Sequence, residues 1–261
     1  MQFRLGLRHA PRAPSRVLGA ALSVLSAPAA VDWFTAAEKQ TGVTICDGDA
    51  LGNDTLSNCV PCGALRYEQI VRAIAKGDAR SPTAAMATAL YSRWSSWPAQ
   101  DVGTDSAQAA ILWATKGLQW DAQDEDVPSV MPLNAALADH LRAAVASLGP
   151  IQLDFAMPAA WQSIIGRAIS EGHDITLSSI AGSWGQPGTW GNHRMCAAQY
   201  DAQCLYAVSW GLKVRITWDA VARYALAAWA CVSRSWLDVT GASPAGLDLD
   251  TLAAEATALA A

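Results

Sequence analysis

Asn58-Cys59-Val60-Pro61-Cys62-Gly63-Ala64-Leu65-Arg66-Tyr67-Glu68-Gln69-Ile70-Val71 sets a cysteine at the mouth of a helix. Apolar residues recur at Leu65, Ile70, Val71 and Ile74, the spacing of one helical face, which predicts a helix from about Pro61 to Ala75. A helix N-terminus carries unpaired amide N–H groups and a partial positive charge, and both favour a thiolate over a thiol. Three chemistries share this placement: a nucleophilic cysteine, a redox CxxC pair, or half of a metal site. The rest of the chain has to separate them.

Composition narrows the partners. The chain has 261 residues, enough for one large domain or two small ones, and 52% are apolar, enough for a core without covalent staples. Net charge is −5 with only 16% charged residues, so no basic face is available to neutralise phosphates and nucleic acid is not an expected partner. No run of about 18 apolar residues exists, so no membrane-spanning segment is expected. Six cysteines stand at 46, 59, 62, 196, 204 and 231. A chain of this length does not need a disulfide framework, and only Cys59 and Cys62 have a motif spacing. Cys196, Cys204 and Cys231 lie in apolar contexts and read as small buried hydrophobes. There are 12 Trp against 3 Phe. They fit either a Trp-rich core or a surface that docks other proteins.

Residues 1–45 read as an N-terminal arm with little regular signal. Arg4, Arg8, Arg12 and Arg16, the apolar Val17–Leu25 and the small Ser26–Ala30 imitate a secretory signal, but the basic residues are scattered rather than clustered. An arm draped over a neighbouring subunit is the expectation. Residues 46–58 are turn-rich. Helices are predicted from Ser81 or Pro82 to Trp94, from Asp105 to Lys116, and from Met131 to Ala146, the last stopped by Gly149-Pro150. Ile151–Ala156 alternates as a strand. A Gly, Trp and Pro loop covers 182–192. His193–Tyr200 and Cys204–Trp210 read as strands joined by Asp201-Ala202-Gln203, followed by a strand over Leu212–Thr217. Asp219–Ala230 reads as a helix, Cys231–Ser233 as a short strand and Asp250–Ala261 as a terminal helix. Helices first and an antiparallel sheet last make an α+β domain over 46–261, with a helical lobe over about 46–150 and a sheet lobe over about 151–261.

A thiol nucleophile needs a base, and histidine is the usual one. Of His9, His140, His173 and His193, the first lies in the arm, the second in a polar helical stretch and the third in a turn. His193 follows the Gly/Trp loop and opens a strand. A redox pair would need a strand directly before the CxxC, and Asp54–Asn58 is too short and turn-like. Cys196 and Cys204 are eight apart, not a zinc spacing, so no metal and no cofactor is expected.

A cysteine opening an early helix, a histidine starting a late strand and Ser209-Trp210-Gly211 closing the next strand together resemble the papain-like cysteine peptidases. The resemblance covers residues 46–76 and 182–236. It implies Cys59 as nucleophile, His193 as base, Asn53 as an oxyanion donor six residues before Cys59, and Trp210 as a shield over the pair. A closer likeness is to a group of papain-like proteins of tailed phages and prophages. It rests on Leu51-Gly52-Asn53-Asp54-Thr55 with Cys59, on Gly182-Ser183-Trp184-Gly185, on the strand–Trp-Gly–strand–Thr-Trp pattern over 205–218, and on Ser235-Trp236-Leu237-Asp238.

Two departures stand out. The family's Asn that orients the histidine, two residues before the Trp, is replaced by Val208, which cannot accept a hydrogen bond. If 201–203 is the turn, His193 opposes Gly211, and Ser209 falls on the face of His193, one diagonal away. Ser209 or Asn192 is then left to orient the imidazole. Asn53 is shorter than the family's Gln. On balance the resemblance implies a virion-associated structural or accessory protein of a tailed phage, present in many copies. It would contact other virion proteins through its arm and a Trp-rich surface, on a papain-like fold with a degenerate site. The alternative is an active cysteine peptidase or amidase, in the virion or the host cytoplasm.

Overall fold

The computed structural model describes residues 5, 7–8, 27–120, 123–125, 127, 129–240 and 242–243. In chain order the elements are β1 (Leu7–Arg8), β2 (Val31–Asp32), α1 (Trp33–Thr41), α2 (Cys59–Lys76), α3 (Ala84–Trp94), β3 (Thr104–Asp105), α4 (Ser106–Lys116), β4 (Leu118–Trp120), β5 (Gln123–Glu125), β6 (Ser129–Leu133), α5 (Ala138–Leu148), β7 (Ile151–Met157), α6 (Ala159–Glu171), β8 (Ile175–Leu177), β9 (Gly191–Tyr200), β10 (Cys204–Ser209), β11 (Leu212–Thr217), α7 (Trp218–Tyr224), β12 (Ala225–Val232) and α8 (Arg234–Thr240). One sheet runs β6-β12-β7-β9-β10-β11-β8, with β2 added to the end of β9. Its neighbours are antiparallel except for β11 and β8.

The predicted Cys59 helix is α2. Cys62 N–H donates to the Asn58 carbonyl at 3.0 Å and closes the first turn. Pro61 sits in that turn, where a missing N–H costs nothing. Gly77, at φ 62, ends the helix. Every residue from Cys59 to Ala73 is buried, because α1, α3, α8 and β9 pack around it. Gly63 allows the closest approach to the sheet: a Cβ there would lie 2.6 Å from Gln152 Oε1. The Gly63 carbonyl accepts from Gln152 Nε2 at 3.0 Å. Arg66 is buried yet satisfied, donating to the Ile45 carbonyl at 3.0 Å, the Asp49 carbonyl at 2.7 Å and Asp47 at 2.8 Å, which ties the 45–49 loop to the helix.

Several expectations are corrected. Residues 31–41 belong to the body rather than to an arm. Val31 and Asp32 pair with Tyr200 and Gln199, Asp32 caps α1 by accepting from Thr35 N–H at 2.9 Å, and Phe34 is fully buried. The predicted helix from Met131 splits into the strand β6 and the helix α5. Pro132 is tolerated because β6 is an edge strand, where a missing N–H leaves no gap in the ladder. The predicted helix over Asp219–Ala230 ends at Tyr224, and Ala225–Val232 forms β12 between β6 and β7. Its alanines favour a helix by propensity, but pairing on both edges overrides that preference. The lobes are therefore not sequential halves, since β2 and β6 from the first half join the sheet. The predicted terminal helix over 250–261 lies outside the described residues.

The tryptophans build the interior instead of a docking surface: seven are buried, four half-buried, and only Trp184 is exposed, at 72%. Cys196, Cys204 and Cys231 are buried as expected. Among the described residues no helix is long and apolar enough to cross a membrane.

Candidate active site

His193 reaches its position through the β9–β10 hairpin. The turn is fixed by Asp201, whose Oδ1 accepts from the N–H groups of Gln203 and Cys204, both at 2.8 Å. Tyr200 opposes Leu205 at the turn, one step off the simple pairing read from the sequence. A bulge between Tyr206 and Ala207 then moves the register, so that Cys196 opposes Val208. Continued in that register, His193 faces Gly211 and Ser209 lies one diagonal from His193. The Oγ of Ser209 and Nε2 of His193 are 2.7 Å apart. The neighbour of the imidazole on β10 is thus the hydroxyl of Ser209 and not the apolar Val208.

Trp210 and Gly211 form a two-residue turn between β10 and β11, with φ 51 and φ 74. Positive φ at both positions matches the twist of the flanking strands. The conformation is costly for a tryptophan, and three contacts hold it. The indole stacks on His193 with centroids 4.0 Å apart and planes 4° from parallel. It stacks on Trp190 at 6.3 Å and 15°. Its Nε1 donates to the Asn53 carbonyl at 3.2 Å.

Cys59, Cys62, Asn53, Leu51, Arg194, Ser209 and Trp210 line one small cavity of about 10 Å³. It is narrow: Cys59 is fully buried and Asn53 nearly so, and the exposed Asp49 stands at its rim. Among the described residues, the two non-glycine residues in the left-handed region, Leu51 (φ 55) and Trp210, both border this cavity. Concentrated backbone strain of this kind is typical of functional sites.

The structure therefore brings Cys59, Asn53, Ser209 and Trp210 to one cavity, with His193 bonded to Ser209 and stacked on Trp210. Asn53 is engaged differently from an oxyanion donor. Its Nδ2 donates to Asn58 Oδ1 at 3.2 Å and to the Leu56 carbonyl at 3.5 Å, while Asn58 Nδ2 donates to the Leu51 carbonyl at 3.1 Å. These amides lace the 51–58 loop to the start of α2. Asn192 pairs across the sheet with Ala156. Of the other histidines, His140 is half-buried on α5, His173 is exposed, and His9 lies outside the described residues.

Burial pushes the His193 imidazole down to about 3, so it is neutral around pH 7. Its Nδ1 is buried without a hydrogen-bond partner. Burial likewise raises the Cys62 thiol far above its ordinary value, with charge at Cys59 acting in the same direction. Among the described residues no group of three His, Cys, Asp or Glu is placed to hold a metal.

Sequence reasoning missed two neighbours. Trp190, in the loop before His193, extends the stack on Trp210. Arg194 borders the cavity from β9. It is pinned by Asp154, with Nε to Oδ1 at 2.6 Å and Nη2 to Oδ2 at 2.9 Å, and also bonds Ser106. Asp154 further accepts from Trp229 Nε1 at 2.9 Å and from Ser106 Oγ at 2.5 Å. An Arg directly after the histidine was visible in the sequence, but its partners lie 40 and 88 residues away.

No family model matches the sequence, and no curated protein sequence does. Solved structures do match. Xylellain, a cysteine protease from Xylella fastidiosa, superposes with a TM-score of 0.59 at 12% identity, covering 88% of this chain and 96% of that one. Procathepsin B S9 from Trypanosoma congolense gives 0.58 at 10%, over 88% and 86%. The proform of the ragweed pollen allergen Amb a 11, a cysteine protease, gives 0.55 at 15%, over 85% and 71%. At these identities the likeness speaks to architecture. With a central helix opened by Cys59 and packed on the strand that carries His193, the protein has the papain-like α+β fold.

Proposed function

We propose that the protein is a cysteine hydrolase that cleaves peptide or amide bonds, with Cys59 as nucleophile and His193 as base and then acid. The observation that supports this reading is the 2.7 Å contact between His193 Nε2 and Ser209 Oγ. An imidazole that donates through Nε2 keeps its lone pair on Nδ1, the atom that must accept a proton. Ser209 thereby takes the orienting role that Val208 cannot fill. In the reaction the thiol proton passes to His193, and the sulfur adds to the carbonyl carbon. The amide groups at the start of α2 face the charge that develops. His193 returns the proton to the leaving amine, and water releases the acyl group. Substrate entry requires the 47–53 loop to move, because the cavity holds only about 10 Å³.

The test is the pH dependence of Cys59 alkylation in a Cys62→Ser background, with and without His193→Ala. A thiol whose proton the neutral His193 takes up as the sulfur attacks is alkylated faster at neutral pH than an ordinary thiol of pKa about 8.5, and His193→Ala removes that advantage. A profile of an ordinary thiol that is unchanged by His193→Ala overturns the reading.

The closure of the site favours a second reading. Here the fold is retained as a virion-associated structural or accessory protein of a tailed phage, held in multiple copies against other virion proteins through its N-terminal segment. A mass-spectrometric inventory of purified particles that lacks this chain rejects it.

A further inference from the structure

We propose that Cys59 and Cys62 form a peroxide-responsive thiol pair, in which hydrogen peroxide oxidises Cys59 and Cys62 closes a disulfide across the first turn of α2. The pairing does not depend on the hydrolase reading, since it needs the two thiols and no substrate.

Cys59 is the first residue of α2 and Cys62 the fourth, and both border the same cavity. Side chains three apart on a helix share a face, with Cβ atoms about 5–6 Å apart. A disulfide needs about 3.5–4.5 Å, so the turn has to tighten by about 1–2 Å. The first turn can do so: it is closed by Cys62 N–H on the Asn58 carbonyl at 3.0 Å, and 3₁₀ tightening, which eclipses side chains three apart, is common at helix ends. The Cys62 sulfur rests 3.7 Å from the Leu51 carbonyl and 4.0 Å from the Ala50 carbonyl, on the wall of the cavity.

Charge and size choose the oxidant. The start of α2 presents its unpaired N–H groups and partial positive charge at Cys59, the first residue of the helix, which singles out the Cys59 sulfur over that of Cys62 as the one that attacks peroxide. A cavity of about 10 Å³ is on the scale of one water molecule. It suits a small uncharged oxidant and excludes bulky thiol reagents. Burial keeps the proton on Cys62, so this cysteine waits as a thiol.

The steps balance. The Cys59 thiolate attacks one peroxide oxygen, the O–O bond breaks, and the other oxygen leaves as hydroxide, which takes up a proton to become water. Cys59 is now a sulfenic acid. The Cys62 sulfur attacks the Cys59 sulfur as its proton passes to the departing hydroxyl, the S–O bond breaks and a second water leaves. Two thiols and one hydrogen peroxide give one disulfide and two waters. If Cys59 is also the nucleophile, the disulfide masks it reversibly.

The experiment treats the folded chain with a small excess of hydrogen peroxide, quenches it, alkylates under denaturing conditions and maps the peptides by mass spectrometry. The expected product is a Cys59–Cys62 disulfide that dithiothreitol reverses, formed ahead of oxidation at Cys46, Cys196 or Cys231. In Cys62→Ser, dimedone added with the denaturant after the peroxide traps Cys59 as its sulfenic acid adduct in place of the disulfide. In the untreated folded chain, Ellman's reagent modifies this pair at least tenfold more slowly than it modifies the unfolded chain. The proposal is overturned if Cys59 and Cys62 remain thiols while other cysteines oxidise. It is equally overturned if Cys59 runs to the sulfinic acid with Cys62 present, or if Ellman's reagent reaches the pair in the folded chain as readily as in the unfolded one.

Discussion

The His193 imidazole lies flat on the Trp210 indole, centroids 4.0 Å apart and planes 4° from parallel, and the tryptophan holds a left-handed backbone to keep it there. The stack ties the β10–β11 turn to the strand that carries the histidine. Through its bond to the Asn53 carbonyl, the same indole ties both to the loop before Cys59. Trp210→Ala removes the stack and that bond together, with a cost of about 3–5 kcal/mol for truncating a buried aromatic. Denaturant unfolding midpoints, compared at equal slopes, measure it.

Gly211→Ala tests the turn. Its φ of 74 is unfavourable for any side chain, and a Cβ would meet the backbone of Gly48 at 2.3 Å and of Asp49 at 2.4 Å. Gly42 has the same φ of 74 with nothing within 4 Å of the added carbon. Gly42→Ala is expected to cost about 1 kcal/mol, the strain alone. Gly211→Ala is expected to cost at least about 2 kcal/mol more, because neither backbone segment can yield freely. Equal losses in chemical denaturation would refute the close contact.

Acid titration of stability reports on His193. Burial lowers its folded value from 6.5 to about 3, so between those limits the unfolded chain binds a proton that the folded chain does not. Stability from this group is complete above about pH 6.5 and declines as the pH falls toward 3, with a slope near 1.4 kcal/mol per pH unit. The full loss is on the order of 5 kcal/mol. Asp78, whose carboxyl is held low by hydrogen bonding to Arg80 and Arg72, adds an acid-side loss of its own below the ordinary carboxylate range. The His193→Gln difference curve isolates the histidine. A variant as acid-sensitive as the parent between pH 6.5 and 4 contradicts the buried neutral imidazole.

Breaking the Arg194–Asp154 pair leaves a charge buried. Arg194→Met is expected to cost about 3–5 kcal/mol, whereas Arg194→Met combined with Asp154→Leu recovers part of that loss. A double-mutant cycle by denaturant unfolding measures the coupling. Additive losses would mean that the pair is not the unit described.

Ser209→Ala leaves the imidazole without its Nε2 partner. On any peptide substrate the parent turns over, kcat is expected to fall about 10²-fold with KM little changed, in the range of general acid–base effects. Ser209→Asn, which restores an acceptor, recovers part of the rate. An unchanged kcat in Ser209→Ala removes Ser209 from the site.

The local patterns legible in the sequence were those whose signal is periodic or tied to a turn. The helix from Cys59, the strands from His193 to Thr217 and the diagonal between His193 and Ser209 all follow from residue spacing, and together they define an α+β chain with a cysteine and a histidine on facing elements. The diagonal needed help from outside the pattern, since the hairpin starts one step out of register and the bulge at Tyr206/Ala207 restores it. What spacing could not decide was long-range. An alanine-rich run has the same composition in a helix as in β12, and only strands 6 and 7 on its two edges make it a strand. Twelve tryptophans are as consistent with a surface as with a core until packing buries eleven of them wholly or in part. Asn53 stands six residues before Cys59 in any conformation, but whether its amide is open to a ligand or occupied by Asn58 is decided by the fold of the loop. The sequence determined the local elements and the chemistry they carry. Tertiary structure decided which groups meet and which are shut away from water, because desolvation and cross-sheet contacts depend on partners far apart in the chain.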